Sequence, residues 1–196
     1  MSVPPEPPLL LASISPQRRA ILEQLDLPFD VVAPRYEELA TGSDPLKIVL
    51  ANARGKALSV ADVAEDRPVL GVDTAVVIDG EALGKPRDVA EAEAMLERLS
   101  GQTHEVVSGL CLVTPAWEEL EHEATHVTFR ELTARDLAHY IGSYEWRERA
   151  GAYAIQGLGG SLVERIEGDY LNVVGLPAAL LVRLLATRFP GAYGFG

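Results

Sequence analysis

One short stretch, residues 70–86, constrains the fold of this chain more than any other. Residues 72–78 are rich in β-branched side chains, which favour a strand. Asp79 and Gly80 follow them, and this dipeptide favours the two positive φ angles of a type I′ turn. The stretch therefore predicts two strands that fold back on each other as a β-hairpin.

The same hairpin carries side chains that a structural strand does not need. Asp73 and Thr74 stand inside the first strand, where a carboxylate must be paired, hydrated or bound to a cation. Lys85 ends the return strand, just after Gly84. These residues predict either a functional site or an edge hairpin whose Asp and Lys are solvated, and both interpretations stay open at this point.

Composition and charge limit the class of protein. The chain has 196 residues, of which 47% are hydrophobic and 23% charged, as expected of a soluble protein with one large domain. The formal charge is −12, which argues against nucleic-acid binding by bulk electrostatics. Phosphate binding would then need a local basic cluster or a metal ion.

Cysteine usage and the termini point to an intracellular protein without a membrane segment. Cys111 is the single cysteine and lies in an apolar run, which predicts a buried, inert thiol and a cytoplasmic location. Residues 1–8 contain no basic residue and are expected to form a flexible extension rather than a signal peptide. The longest apolar segment, 176–186, is far shorter than the roughly 20 residues of a membrane span.

The start of the chain has the pattern of an anion-binding turn. Residues 9–13 read as a strand and residues 15–25 as a helix, with Ser15 at the N-cap and Pro16 at the first helical position. The free N–H groups of such a helix start attract anions, and Ser13, Arg18 and Arg19 crowd the same turn. A capped helix with two exposed arginines remains the alternative.

The next two elements contribute further charged residues. Residues 29–33 read as a second strand, and Glu37 and Glu38 follow it at a position where metal ligands occur as well as solvated acids. Residues 45–60 have the apolar spacing of a helix. Lys56 lies off that apolar stripe, so helical periodicity alone predicts that it faces solvent.

The second half of the chain reads as alternating helices and strands, followed by a tail, 189–196, without a usable pattern. We predict helices over 88–99, 133–143 and from Pro177 onwards, and strands over 104–113, 122–129 and 162–166. His104, His122 and His126 lack metal-ligand spacing, which favours surface or pair-forming roles. The glycine-rich stretch 144–160 does not match the dinucleotide fingerprint, although Gln156 beside it could read the edge of a base.

Six ordered motifs together resemble the Maf family of nucleoside triphosphate pyrophosphatases. They are Leu11-Ala-Ser-Ile-Ser-Pro-Gln-Arg-Arg19, Gly71-Val-Asp-Thr74, Gly84-Lys-Pro86, Leu99-Ser-Gly-Gln-Thr-His104, Ala150-Gly-Ala-Tyr-Ala-Ile-Gln-Gly157 and Val174-Gly-Leu-Pro177. The resemblance implies an α/β fold of the inosine-triphosphate-pyrophosphatase-like (Maf/Ham1) type over residues 9–188. Such a fold has a long mixed β-sheet flanked by helices, with the nucleotide in a cleft between two lobes. It also implies hydrolysis of a nucleoside triphosphate to the monophosphate and pyrophosphate, a divalent metal cofactor (Mg²⁺ or Mn²⁺) and a homodimer.

The resemblance also assigns roles to individual residues. Asp73 falls on the proposed proton acceptor, and Arg18, Glu38, Lys56 and Lys85 fall on further positions of the family's site. Thr74 and Gln156 fall on positions associated with the branch that acts on dTTP and UTP. That branch usually carries Arg where this chain has Gln17, and Asp-Lys where it has Glu148 and Arg149. The third specificity position therefore departs from the pattern.

Elementary chemistry gives these residues consistent roles. Splitting the α,β bond requires a water aimed at the α-phosphorus, a base for its proton and positive charge over the leaving pyrophosphate. Asp73 can be the base or a metal ligand, with Glu38 as second carboxylate for the cation. Arg18, Lys56, Lys85 and the first helix, with Ser13, Ser15 and Gln17, would hold the substrate. The alternatives are a nucleotide-binding regulator of cell division without turnover, and a pyrophosphatase for 7-methyl-GTP or another modified nucleotide.

Overall fold

The computed structural model describes residues 7–39 and 44–195, so residues 1–6 of the predicted N-terminal extension lie outside the described part. The strands are β1 (Leu9–Ala12), β2 (Phe29–Val32), β3 (Val69–Ile78), β4 (Glu81–Leu83), β5 (Thr103–Val113), β6 (Glu118–Phe129) and β7 (Val163–Glu167). The α-helices are α1 (Pro16–Gln24), α2 (Pro45–Leu58), α3 (Val89–Leu99), α4 (Ala134–Ser143), α5 (Tyr170–Val174) and α6 (Ala178–Arg188). Short 3₁₀ turns lie at 61–63, 150–152 and 158–162.

Within the described residues, seven strands form one mixed sheet in the order β2-β1-β3-β5-β6-β7, with β4 paired to β3. Strand β1 pairs in parallel with β2 and β3, because α1 and α2 supply the crossovers. The other pairings are antiparallel. The predicted α/β class with a long mixed sheet is confirmed.

The predicted hairpin of β3 and β4 is also confirmed. Asp79 and Gly80 both have positive φ angles, 52° and 77°, as a type I′ turn requires. At the start of α1, Ser15 is the N-cap and Pro16 the first helical residue, as predicted. Strand β6 begins at Glu118, four residues before the predicted start at His122.

The two faces of the sheet explain where a cavity can form. Helix α2 packs on one face. On the other face, Leu70 and Val72 of β3 join an apolar cluster with α1 and α6, whereas Val76 and Ile78 join a second cluster with α3 and α4. Thr74 lies between these two clusters, directly opposite Ser108 of β5. The apolar packing of this face is therefore interrupted at the middle of the sheet.

Helix α2 approaches the sheet unusually closely because two facing positions are glycines. A Cβ atom on Gly71 would lie 2.1 Å from the Ala53 carbonyl oxygen, and one on Gly109 would lie 2.4 Å from the Val49 carbonyl oxygen. Gly109 is the register partner of Asp73. The close approach therefore brings the α2 side chains to the level of Asp73.

Several sequence expectations are settled by burial. Cys111 is a free, buried thiol as predicted, and burial raises its pKa to about 12. Of the two roles predicted for His104, surface or pair-forming, the structure shows the second, because His104 is buried with its Nε2 atom at 2.9 Å from the Tyr153 hydroxyl. Among residues 7–39 and 44–195, no helix combines the length and apolar character that crossing a bilayer requires.

The C-terminal residues pack against the body of the protein. Phe189 lies 5.6 Å from the Trp117 ring and 5.5 Å from the Tyr193 ring, measured between centroids. The Tyr193 hydroxyl donates a 2.8 Å hydrogen bond to the Pro7 carbonyl. Aromatic packing thus orders a segment in which the sequence offered no pattern.

Candidate active site

A cavity of about 520 Å³ opens at the interruption around Thr74, between the two apolar clusters. It brings together nine residues predicted from sequence: Ser13, Ser15, Gln17, Arg18, Glu38, Lys56, Asp73, Thr74 and Lys85. Gln156, the tenth, lines an adjoining cavity of about 300 Å³. Gln17 lines both cavities, so the two spaces are adjacent at that side chain.

The lining of the larger cavity includes an ammonium group held by two carboxylates. The Lys56 Nζ atom lies 2.7 Å from Asp73 Oδ1 and 2.8 Å from Glu38 Oε1. Lys56 is only 3% exposed, which corrects the expectation from helical periodicity that it faces solvent. A buried lysine of this kind requires charge partners, and the strand and loop opposite α2 supply them.

Glu38 reaches this position because its loop is anchored along one face of α2. The Tyr36 ring packs directly on Gly55, where an added Cβ would lie 2.2 Å from the ring. The Arg35 guanidinium donates to the Ser59 carbonyl at 2.7 Å. The loop therefore lies flat on the helix and aims the Glu38 carboxylate at the cavity.

The electrostatic surroundings favour the ionised form of Glu38. Partial burial raises its pKa, but the hydrogen bond and charge of Lys56 and the charges of Arg18 and Lys85 outweigh that effect. The pKa of Glu38 consequently lies below its ordinary value. The residue is an anion at neutral pH.

Arg18 forms the second cationic centre, at the turn from β1 to α1. Its guanidinium donates to the Gly175 carbonyl at 2.9 Å, to Ser13 Oγ at 3.2 Å and to Thr74 Oγ1 at 3.4 Å. Burial lowers the pKa of Arg18, although the charges of Asp73 and Glu38 act in the opposite direction. Arg19 points elsewhere and pairs with Glu23 on the surface. Of the two arginines in the predicted anion turn, only Arg18 lines the cavity.

The remaining charges make the cavity locally cationic. Lys85 is exposed where it lines the larger cavity, and its Nζ atom lies 3.3 Å from Glu148 Oε2. In all, the cavity is lined by five cationic side chains (Arg18, Lys56, Lys85, Arg147, Arg149) and three carboxylates (Glu38, Asp73, Glu148). In a chain of net charge −12 this local excess of cations provides a site for a polyanion.

The smaller cavity has a different character, with amides and backbone groups in place of lysines. Gln17 and Gln156 line it together with Glu145 and Arg149. The Glu145 carboxylate accepts backbone hydrogen bonds from Leu158 at 3.0 Å and Gly159 at 3.3 Å. Glu145 thereby fixes the glycine-rich turn that carries Gln156.

The comparison with known proteins agrees with the motifs. The family model described as "Maf-like protein" matches residues 8–188. The chain belongs to the Maf family. This match confirms the resemblance that the six motifs indicated.

Individual relatives extend over nearly the whole chain. A Bacillus cytotoxicus protein named dTTP/UTP pyrophosphatase is 47% identical over 93% of this chain and 96% of its own length. A Deinococcus radiodurans protein of the same name is 44% identical over 97% of this chain and 96% of its own length. Among solved structures, the Staphylococcus aureus Ham1 protein is 14% identical with a TM-score of 0.41, covering 63% of this chain and 72% of its own.

Sequence reasoning gave no role to Asn52 or Arg149, although Arg149 had been noted as a departure from the family's usual Asp-Lys. Asn52 is buried next to Asp73, and its four-residue separation from Lys56 on α2 could have indicated a shared helix face. Arg149 lines both cavities, and its buried Nε atom has no hydrogen-bond partner among the described residues. Nothing in its local pattern marks it out, because the loop that carries it has no regular periodicity.

The carboxylates of the site suit a divalent cation that also contacts substrate. Within residues 7–39 and 44–195, no group of three or more Asp, Glu, His or Cys side chains is arranged to hold a metal ion. Asp73 and Glu38 are nevertheless close enough to share the Lys56 ammonium. Two carboxylates completed by phosphate oxygens and water form a usual Mg²⁺ environment, so the residues present fit such an ion.

Proposed function

We propose that this chain hydrolyses the α,β-phosphoanhydride bond of nucleoside triphosphates, with dTTP and UTP preferred. The observation that carries the proposal is the Lys56 ammonium held between Asp73 and Glu38 in a cationic cavity that also contains Arg18. The names of the relatives support the same reaction and the same two substrates.

In the proposed reaction the carboxylates and the cationic side chains have different roles. Asp73 accepts a proton from a water molecule whose oxygen attacks the α-phosphorus, and the bond from that phosphorus to the β-bridging oxygen breaks. Pyrophosphate leaves with the electron pair of that bond. Arg18, Lys56 and Lys85 neutralise the negative charge that develops on the phosphates, with the N–H groups at the start of α1 assisting.

A divalent cation, Mg²⁺ or Mn²⁺, completes the proposed site. Asp73 and Glu38 would hold it together with substrate phosphate oxygens. When bound, such an ion makes a coordinated water more acidic and offsets phosphate charge. Lys56 remains close enough to both carboxylates to limit their mutual repulsion.

The smaller cavity is the proposed site for the base. A pyrimidine presents carbonyl acceptors and an N–H donor on one edge, and the primary amides of Gln156 and Gln17 can both donate and accept. Thr74 lines the larger cavity, where the triphosphate would bind. The proposal includes a homodimer, which the family resemblance implies, and a cytoplasmic location, which cysteine usage favours.

The test measures pyrophosphate release from canonical, methylated and otherwise modified nucleoside triphosphates in Mg²⁺ or Mn²⁺. Asp73→Asn should lower kcat by about 10²- to 10⁴-fold, the usual contribution of a positioned base. Asp79→Asn, an exposed change on the same hairpin, is the matched control and should retain wild-type turnover.

Three other outcomes would contradict the proposal in distinct ways. If 7-methyl-GTP or another nucleotide led the panel, the pyrimidine preference would be wrong and Gln17 would outweigh Thr74 and Gln156. If nucleotides bound without cleavage, the chain would be a nucleotide-binding regulator. If Asp73→Asn kept full turnover, the base would have to be another group.

A further inference from the structure

Asn52 of α2 is one of the few buried polar side chains outside the residues given a role above, at 2% exposure. Its Nδ2 group donates to Asp73 Oδ2 at 2.8 Å and to the Leu39 carbonyl at 3.1 Å. Its Oδ1 atom accepts from the Leu39 backbone N–H at 2.8 Å. A single amide thus joins the catalytic strand to the loop that carries Glu38.

Only an amide fits this arrangement of partners. The site offers two acceptors, Asp73 Oδ2 and the Leu39 carbonyl, and one donor, the Leu39 N–H. The Asn side chain supplies two donors and one acceptor, which matches that set completely. The flipped orientation would place Oδ1 against two other oxygens, so the hydrogen-bond network fixes the orientation of the amide.

The contacts of Asn52 and Lys56 together hold both carboxylate oxygens of Asp73. Lys56 holds Oδ1 at 2.7 Å, and Asn52 holds Oδ2 at 2.8 Å. The two side chains are four residues apart and therefore project from the same face of α2. The plane of the Asp73 carboxylate is consequently set by one rigid helix.

The same amide also sets the position of the second carboxylate. Leu39 directly follows Glu38, and both backbone hydrogen-bonding groups of Leu39 are occupied by Asn52. The loop therefore cannot shift along α2 without breaking two part-buried hydrogen bonds. Glu38 is held where its carboxylate reaches Lys56 at 2.8 Å.

We infer that Asn52 is a positioning residue that keeps the Asp73 and Glu38 carboxylates in a fixed mutual geometry for a shared divalent cation. This inference rests on the proposed function, because it concerns the same two carboxylates. Asn52 does not line the cavity and acts only through the groups that it holds. Removing such an outer partner of metal ligands typically lowers metal affinity or activity about 10- to 100-fold.

The experiment compares Asn52→Leu with Ser59→Ala, which removes the hydrogen bond that Ser59 Oγ accepts from the Arg35 N–H of the same loop and the one that it donates to the Lys56 carbonyl of the same helix, without touching Asp73. Mn²⁺ binding is measured by electron paramagnetic resonance without nucleotide, and kcat and KM for dTTP are measured across pH. Asn52→Leu should weaken Mn²⁺ binding at least about tenfold and lower kcat about 10- to 100-fold. KM should change by less than about threefold, because Arg18 and Lys85 stay in place. Ser59→Ala should match the wild type in every measurement.

Asn52→Asp keeps the side-chain volume and provides a second variant should the Leu variant fail to fold. Its new carboxylate cannot donate to Asp73 or to the Leu39 carbonyl and would repel Asp73, so it should disturb the geometry of the two carboxylates and weaken Mn²⁺ binding as the Leu variant does. Wild-type Mn²⁺ affinity in these variants would overturn the inference, even if kcat fell. Failure of the proposed function is recognised separately, since an inactive wild type would leave the Mn²⁺ measurement to decide the role of Asn52.

Discussion

At the scale of single residues, the face of a strand on which a side chain lies decides what it can do. Asp73 and Thr74 are neighbours in β3 and point to opposite faces. The carboxylate meets Lys56 on α2, whereas the hydroxyl lies 2.8 Å from Ser108 and 3.4 Å from Arg18. Two adjacent residues therefore serve two different sides of the sheet.

Alternation of this kind can be predicted from sequence, but burial of a charged residue cannot. Helical periodicity correctly placed Lys56 outside the apolar stripe of α2, but it wrongly implied that the side chain faces solvent. The lysine is buried because Asp73 and Glu38, from distant parts of the chain, converge on it. Such long-range pairing leaves no trace in the spacing of a single helix, and only the family resemblance indicated a role for Lys56.

Gln17 offers a direct test of substrate preference. Its amide accepts a hydrogen bond from Ser15 at 3.2 Å and lines both cavities. Gln17→Arg should lower KM for dTTP about fivefold, since a charged hydrogen bond is about 1 kcal/mol stronger than a neutral one. Steady-state kinetics with dTTP and UTP measure the effect, and Arg19→Gln on the exposed side of α1 is the control. An unchanged KM would show that Gln17 does not contact the substrate, and a higher KM would show that the site binds dTTP better through the neutral amide.

His104 should make the free energy of unfolding depend on pH. Burial lowers its pKa from 6.5 to about 4. The unfolded chain therefore binds a proton between those pH values that the folded chain does not, and stability falls as the pH drops from 6.5 towards 4. The loss attributable to His104 at pH 5 is about 2 kcal/mol.

Urea unfolding at pH 7 and pH 5 checks this value. His104→Gln should reduce the difference between the two conditions by about 2 kcal/mol. His122→Gln changes an exposed histidine on β6 and should leave that difference in unfolding free energy unchanged. Equal pH dependence in the wild type and His104→Gln would contradict the assignment.

At the scale of elements, the placement of α2 decides the geometry of the site. Its start at Pro45 was predicted correctly from sequence, and its end within two residues. Its distance from the sheet was not predictable, because the absence of side chains at Gly71 and Gly109 matters only when strand register and helix position are both known. Packing of a helix against glycines is a property of the tertiary structure.

Substitution of Gly109 by Ala should therefore affect both stability and activity. The new Cβ would meet the backbone of Val49 and force α2 away from the sheet, at about 1–3 kcal/mol of unfolding free energy. Moving Lys56 and Asn52 relative to Asp73 should lower kcat by up to about 100-fold. Gly142→Ala in α4 is the control, because no atom lies within 4 Å of its added Cβ. Thermal unfolding and pyrophosphate release report the two effects, and wild-type kcat in Gly109→Ala would contradict the role of the close approach.

At the scale of the whole molecule, the sequence predicted the class of fold and the family better than the shape of the site. The hairpin and most element boundaries followed from local patterns, whereas the mixed sheet followed from the resemblance to the Maf family that six motifs together identified. The division of one sheet face into two apolar clusters depends on which helices return to it, which local patterns do not specify. The roles proposed for the site residues remain predictions, and so does the domain boundary at 9–188.

Net charge leads to a prediction about metal ions. A nucleoside triphosphate is itself strongly anionic and must enter a chain of net charge −12. Chelation of divalent cations with EDTA should lower pyrophosphate release at least about 100-fold, since the ion contributes several kcal/mol to charge stabilisation. Adding excess Mg²⁺ or Mn²⁺ should restore turnover. Full activity in EDTA would contradict the metal requirement.

The hydrogen bond from Tyr193 to Pro7 has a topological consequence. It makes residues near the two ends of the chain neighbours in space, so a short peptide could connect them without disturbing the sheet. In a circular permutant, those ends would be joined and the chain would begin and end at the exposed turn between Pro115 and Ala116. The strands would then follow one another in a different order along the sequence but could form the same pairs. The contacts that hold the sheet together therefore do not depend on which residue comes first in the sequence.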